Sequence, residues 1–148
     1  MLSNEDRWAI SDVVSLYCYV NDERQFTRLD EIFTEDVVYD LSPFGSPLIH
    51  GISGVLDYWS EERRHPVAHH PTALIVHEMS DGVVRAVWKG IGVGHKARVG
   101  SATYYNEIVR TSAGWRISRC AVHMRHSGMT IDRTVFADFL PPGFQLPA

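Results

Sequence analysis

"AISDVVSLYCYVNDERQFTRLDEIFTEDVVYDL", residues 9–41, changes its hydrophobic period twice, and those changes decide the fold. Ile10, Val13, Val14, Leu16, Tyr17 and Val20, with Trp8 just upstream, recur at helical spacing as far as about Asn21. Ahead of them Ser3 and Asp6 have capping-box spacing, in which a hydroxyl and a carboxylate satisfy free amides at a helix start. A second short helix is expected next, with Phe26, Leu29, Ile32 and Phe33 inward. "TEDVVYDL" then reads as a turn followed by a strand.

Working outward, "SPFGSP" is a cluster of breakers, and "ISGVLDYWSEERR" is a third amphipathic helix that Pro66 ends. Beyond it the pattern is that of strands. "TALIVHEM" and "VVRAVWKGIGV" are separated by Ser80, Asp81 and Gly82, which is hairpin chemistry. "SATYYNEIVR" and "WRISRCAVHM" flank "TSAG" as a second hairpin. Helices first and an antiparallel meander afterwards make an α+β fold. Gly90, Gly92 and Gly94 alternate along one strand, which permits strong curvature or close approach of a ligand. A sheet curved around helices leaves a concave pocket for a small molecule. One domain over residues 1–148 is expected, with 136–148 an irregular apolar tail that closes the cavity or lies on a neighbouring subunit.

The composition narrows the function. A net charge of −4 argues against nucleic acid or an anionic membrane as partner, because phosphate binding needs a clustered positive field. The short basic runs "EERRH" and "RISR" are interrupted and read as solvated surface. "MLSNEDRW" lacks the charged start and apolar run of a signal peptide, and no run approaches the roughly 20 apolar residues of a membrane span. Two cysteines, Cys18 and Cys120, lie inside apolar elements, as reduced core thiols of a cytoplasmic protein would.

The opening stretch, followed by "YYNEIVRTSAGWRISRC" at 104–120, resembles SnoaL-like proteins of the nuclear-transport-factor-2-like superfamily. Those proteins run from a helix through an aspartate and a second helix to "F-T-x-D" and a strand. The resemblance implies N-terminal helices on a strongly curved, mostly antiparallel sheet that forms a cone with an internal cavity. Within the superfamily the chain is most similar to cofactor-independent lyases: hexachlorocyclohexane dehydrochlorinase, bile-acid 7α-dehydratase and, more distantly, scytalone dehydratase. Their aspartate at the end of the first helix matches Asp22, and their histidine before a central strand matches His69. Tyr17 matches a functional tyrosine of the bile-acid enzyme, and His95 falls one residue from the second histidine of scytalone dehydratase. An asparagine common four residues after the histidine is Ala73 here, which removes a polar contact. A homodimer or homotrimer is also implied.

The chemistry of such a pair follows from its residues. A carboxylate at a helix C-terminus is disfavoured by the helix dipole and, facing a cavity, needs a donor. An imidazole N–H supplies one, which fixes the tautomer and leaves the other ring nitrogen as an acceptor toward the pocket. Imidazole titrates near neutrality, roughly pH 6.5, so it suits a general base. The expected roles are His69 as base, Asp22 as its orienter, Tyr17 as a hydrogen-bond donor and His95 as a further acid/base group. His70 would point away from His69 in extended chain. Tyr39, Phe44, Trp59, Trp88, Tyr104 and Asn106 are expected to line the cavity.

No nucleotide loop or flavin signature accompanies these residues, so no cofactor is expected. His65 and His69 have a metal-pair spacing, but Pro66 prevents one helix from carrying both, and no metal is expected. Elimination or isomerisation of a hydrophobic oxygenated molecule is the leading expectation. Polyketide cyclisation, and a non-catalytic module for ligand binding or assembly, are the alternatives.

Overall fold

A computed structural model describes residues 1–61, 65–94, 96, 98–125, 139–141 and 143, the side chain of Phe44 excepted. α1 (Asn4–Asp22) begins at the expected capping box: the Asp6 amide donates to Ser3 Oγ and the Ser3 amide to Asp6 Oδ2, each at 3.1 Å. Ile10, Val13, Val14, Tyr17 and Val20 are buried. Trp8 departs from that face and is 72% exposed. At roughly 3.6 residues per turn it lies about two and a half turns from Tyr17, on the opposite side of the helix.

The second helix is a single 3₁₀ segment, Phe26–Glu31. It stops short because Phe33 opens strand β1 (Phe33–Asp40), whose buried side chains join the core. The breaker cluster forms another 3₁₀ turn, Ser42–Phe44, before β2 (Ile49–His50) and α2 (Gly51–Ser60). α2 thus ends before the charged run rather than at Pro66.

The remaining strands are β3 (Ala68–Glu78), β4 (Val84–Val93), β5 (Val99–Thr111) and β6 (Gly114–Arg125). β3 starts earlier than its hydrophobic pattern indicates, because His69, His70 and Pro71 already pair with Gly92, Ile91 and Gly90 of β4. Pro71 is tolerated there since β3 is an edge strand.

The six strands form one sheet in the order β2-β1-β6-β5-β4-β3. Only the β1–β6 pairing is parallel. Register shifts in β3 and between β5 and β6 add bend and twist. The bulge in β3 holds Ala73 at φ 51°, in the left-handed region.

The concave face carries the core. Tyr17 is its hub, edge-on to Phe33, Trp59, Trp88 and Tyr104 at centroid distances of 5.0–5.9 Å. Such pairs add about 0.5–1.5 kcal/mol each beyond the area they bury. On the convex face Val87, Tyr105 and Ala121 form a smaller cluster with Phe139 of the expected tail. The rest of 136–148, apart from residues 140, 141 and 143, lies outside the described residues. Among the described residues no helix is long and apolar enough to cross a membrane.

Candidate active site

The curved sheet and α1 enclose a cavity of about 920 Å³. Its walls are largely apolar or glycine, including Leu41, Ala102, Val122 and Met124 with Gly90 and Gly92 of β4. The glycines make room for their neighbours: a Cβ on Gly90 would sit 2.5 Å from the Tyr104 ring, and one on Gly92 2.7 Å from Pro66 Cγ. The close-approach reading of alternating glycines therefore applies to side chains of the protein itself. Gly92 is also the cross-strand partner of His69, so no side chain crowds the imidazole from that position.

At the cavity, two hydrogen-bonded pairs tie α1 to the sheet. Asp22, the last residue of α1, reaches β3: Oδ2 accepts the His69 amide at 2.7 Å and Oδ1 pairs with His69 Nδ1 at 2.5 Å. A carboxylate only accepts, so Nδ1 carries the proton and Nε2 is the nitrogen left for the cavity that His69 lines. Both carboxylate oxygens hold one residue, which fixes the ring by main chain and side chain together. The pair is secluded, with side-chain exposures of 5% for His69 and 14% for Asp22. It also answers the dipole problem, since the α1 C-terminus has no basic residue in its last turn.

The second pair reaches β1, toward the other end of the sheet order. Tyr17 and Tyr39 share a hydroxyl contact of 2.6 Å, and both line the cavity. Burial pushes both phenols far above their ordinary range, so each stays protonated. One hydroxyl donates to the other, and the acceptor's own proton remains available to a third group. Tyr17 and Asp22, set apart around the helix end, thus serve two polar points on one cavity.

The other expected residues divide. Tyr104 lines the cavity, and burial raises its phenol as well. Trp88 does not line it, but stacks behind Tyr104 at 3.7 Å with an interplanar angle of 3°. Trp59 is completely buried in the aromatic core instead of the wall. Asn106 is also completely buried, and neither its amide oxygen nor its nitrogen has a partner among the described residues. These three were expected in the wall because aromatic or polar residues on the concave face look alike in sequence, whatever their depth. His95 and the side chain of Phe44 lie outside the described residues. His70 is exposed and His69 buried, as strand alternation requires.

Sequence reasoning passed over His65, Lys96 and Arg98, which also line the cavity. His65 sits edge-on to Tyr58, and its Nε2–H donates to the Tyr58 carbonyl at 2.9 Å, leaving Nδ1 as an acceptor. Burial holds this imidazole below its ordinary value. Its spacing from His69 was noticeable in the sequence, but only as a metal motif. Among the described residues no group of three or more metal-ligating side chains converges. Cys18 and Cys120 are buried free thiols, and burial pushes Cys18 up to about 12 and Cys120 higher, which leaves them poor nucleophiles.

The SnoaL-like domain family profile matches residues 3–121. The chain belongs to this family. Solved structures agree with the fold of a SnoaL-like protein. A Novosphingobium aromaticivorans protein assigned as an aromatic ring hydroxylase is 28% identical, with a TM-score of 0.66 over 85% of this chain and 93% of that one. Hexachlorocyclohexane dehydrochlorinase LinA-type3 from Novosphingobium barchaimii is 23% identical, with a TM-score of 0.67 over 87% and 98%. A protein assigned as a scytalone dehydratase, also from N. aromaticivorans, is 19% identical, with a TM-score of 0.65 over 82% and 85%. No curated protein matches the chain significantly.

Proposed function

We propose that this SnoaL-like protein is a cofactor-independent lyase or isomerase that takes a proton from a hydrophobic, oxygenated small molecule. The observation that carries the reading is the Asp22–His69 contact at the wall of a large, mostly apolar cavity. Its similarity in fold to a dehydrochlorinase supports the same class of chemistry.

In this reading His69 Nε2 accepts a proton from a carbon next to a carbonyl or leaving group. Asp22 keeps Nδ1 protonated and stabilises the imidazolium that results. The free O–H of the Tyr17–Tyr39 pair donates a hydrogen bond to the oxygen on which charge develops. Expulsion of a leaving group then completes an elimination; return of the proton to another carbon completes an isomerisation. The same reading takes the protein as a cytoplasmic homodimer or homotrimer, which light scattering on the purified protein checks.

The test is a panel of ring ketones and β-hydroxy or β-halo ketones, followed for release of water or halide and for deuterium uptake from heavy water. Wild type is expected to turn over at least one of them. His69→Ala and Asp22→Asn should lose that turnover while keeping the wild-type circular dichroism. A His69→Ala protein that turns over at the wild-type rate would end the assignment. Recovery of every bound compound unchanged and unlabelled would favour a non-catalytic binding module.

A further inference from the structure

Among the described residues the cavity's charge is one-sided. Of the described residues that line it, only Lys96 and Arg98 carry a permanent charge, and both are cations. Among the described residues no aspartate or glutamate lines it; Asp22 stands behind His69, its carboxylate taken. Elsewhere the acids outnumber the bases, since the whole chain carries 18 Asp and Glu against 14 Lys and Arg. Neither the Lys96 nor the Arg98 side chain makes a hydrogen bond or ion pair with a described residue, whereas those of Arg28, Arg110 and Arg119 all do. The two sit in the β4–β5 connection, which the Gly94 amide closes by donating to the Arg98 carbonyl at 2.6 Å. They are solvent-exposed, so they mark the cavity's mouth rather than its floor.

We propose that the substrate is an amphipathic organic anion, held at the mouth by Lys96 and Arg98 with its ring body inside the cavity. This deepens the lyase reading above and rests on its choice of cavity. The division of the cavity defines the molecule. Apolar walls such as Leu41, Ala102, Val122 and Met124 suit a ring system, and about 920 Å³ is ample space for one. The polar groups near His69 and the tyrosine pair suit an oxygenated reacting end. Two cations at the mouth, with no side-chain partner among the described residues, suit a carboxylate or another oxyanion at the far end, which Arg binds through a fork of N–H donors and Lys as a point charge. Because both are exposed, solvent and salt screen them, and their role is to select and orient the anion more than to bind it tightly.

A matched pair of fluorescent probes separates charge from hydrophobic fit. Anilinonaphthalene sulfonate and N-phenylnaphthylamine share the same aromatic body, and only the first is an anion. Both are titrated into wild type, Lys96→Gln/Arg98→Gln, His69→Ala and Lys89→Gln, the last changing an exposed cation that does not line the cavity. Wild type should bind the sulfonate about 10-fold more tightly than the neutral probe, the scale expected of two exposed charge contacts. That preference should vanish in Lys96→Gln/Arg98→Gln and shrink with added salt, with neutral-probe affinity unchanged. It should persist in Lys89→Gln and in His69→Ala, which lacks the proposed base. Equal affinities for both probes in wild type, failure to bind either, or a preference that survives loss of both cations would overturn the proposal. The readout is binding alone, so a protein that keeps the preference but turns nothing over would count against the lyase reading and not against this one.

Discussion

Two hydrogen-bonded pairs fasten α1 to opposite flanks of the curved sheet, and they are built from opposite materials. Asp22–His69, on edge strand β3, joins a carboxylate to an imidazole, so its charge state can change as a proton moves. Tyr17–Tyr39, on β1, joins two phenols that burial keeps neutral. In the proposed mechanism the difference is a division of work: the β3 flank takes a proton, while the β1 flank offers a hydrogen bond and a shape.

The sharpest way to break this comparison is to disarm one flank at a time and measure turnover of a substrate from the ketone panel. Loss of the base flank by His69→Ala or Asp22→Asn should cost about 10²–10⁴-fold in kcat, the usual range for general-base catalysis. The donor flank should cost less. Tyr17→Phe/Tyr39→Phe together should lower kcat by about 10²–10³-fold, as loss of one donor to a developing oxyanion does. Either single change leaves one hydroxyl to donate and should cost less than the double. If Tyr17→Phe/Tyr39→Phe lost turnover while His69→Ala stayed active, the assignment of the flanks would be reversed.

Acid titration sharpens the comparison further. His65 and His77, leading into and within β3, are both held below the ordinary 6.5, burial being the first cause in each. Below pH 6.5 the unfolded chain therefore binds more protons at these sites than the folded one. Their contribution to stability is complete above that pH and is lost as pH falls through the window beneath it. His77 has no hydrogen-bond partner among the described residues on either ring nitrogen, so His77→Leu should flatten the decline of Tm below pH 6.5. Tyrosine-pair variants should leave that slope alone.

The smallest effect expected is at the β3 bulge. Ala73 at φ 51° occupies a region that asparagine tolerates better than alanine. Ala73→Asn should raise stability by about 0.5–1 kcal/mol, part of the left-handed cost of roughly 1–2 kcal/mol per residue. Chemical denaturation measures it. The position is exposed, so an asparagine there would act through backbone conformation rather than through a polar contact into the cavity.

The fold was legible because period and punctuation agreed. The capping box, the face of α1 from Ile10 to Val20 and both hairpins stand where their patterns put them. The boundaries that moved did so for tertiary reasons: Phe33 serves β1 instead of a helix, and His69 to Pro71 pair with β4 despite their polarity. The approach of Asp22 to His69 was readable only through family order, as 47 residues separate them. Depth on one face was not readable at all. Tyr104 and Trp88 occupy paired positions with stacked rings, yet only Tyr104 meets the cavity. Lys96 and Arg98 were hidden because an exposed hairpin cation looks the same in sequence whether or not a cavity opens beside it.

The central claim is that Asp22 holds His69 with its proton on Nδ1 and a bare Nε2 toward the cavity. Nitrogen-15 NMR of imidazole-labelled protein at about pH 8, above the ordinary imidazole range, reads this directly. A protonated Nδ1 beside an unprotonated Nε2, lost or mixed in Asp22→Asn, is the expected result. A proton on Nε2 with Nδ1 bare in the wild-type protein would contradict it.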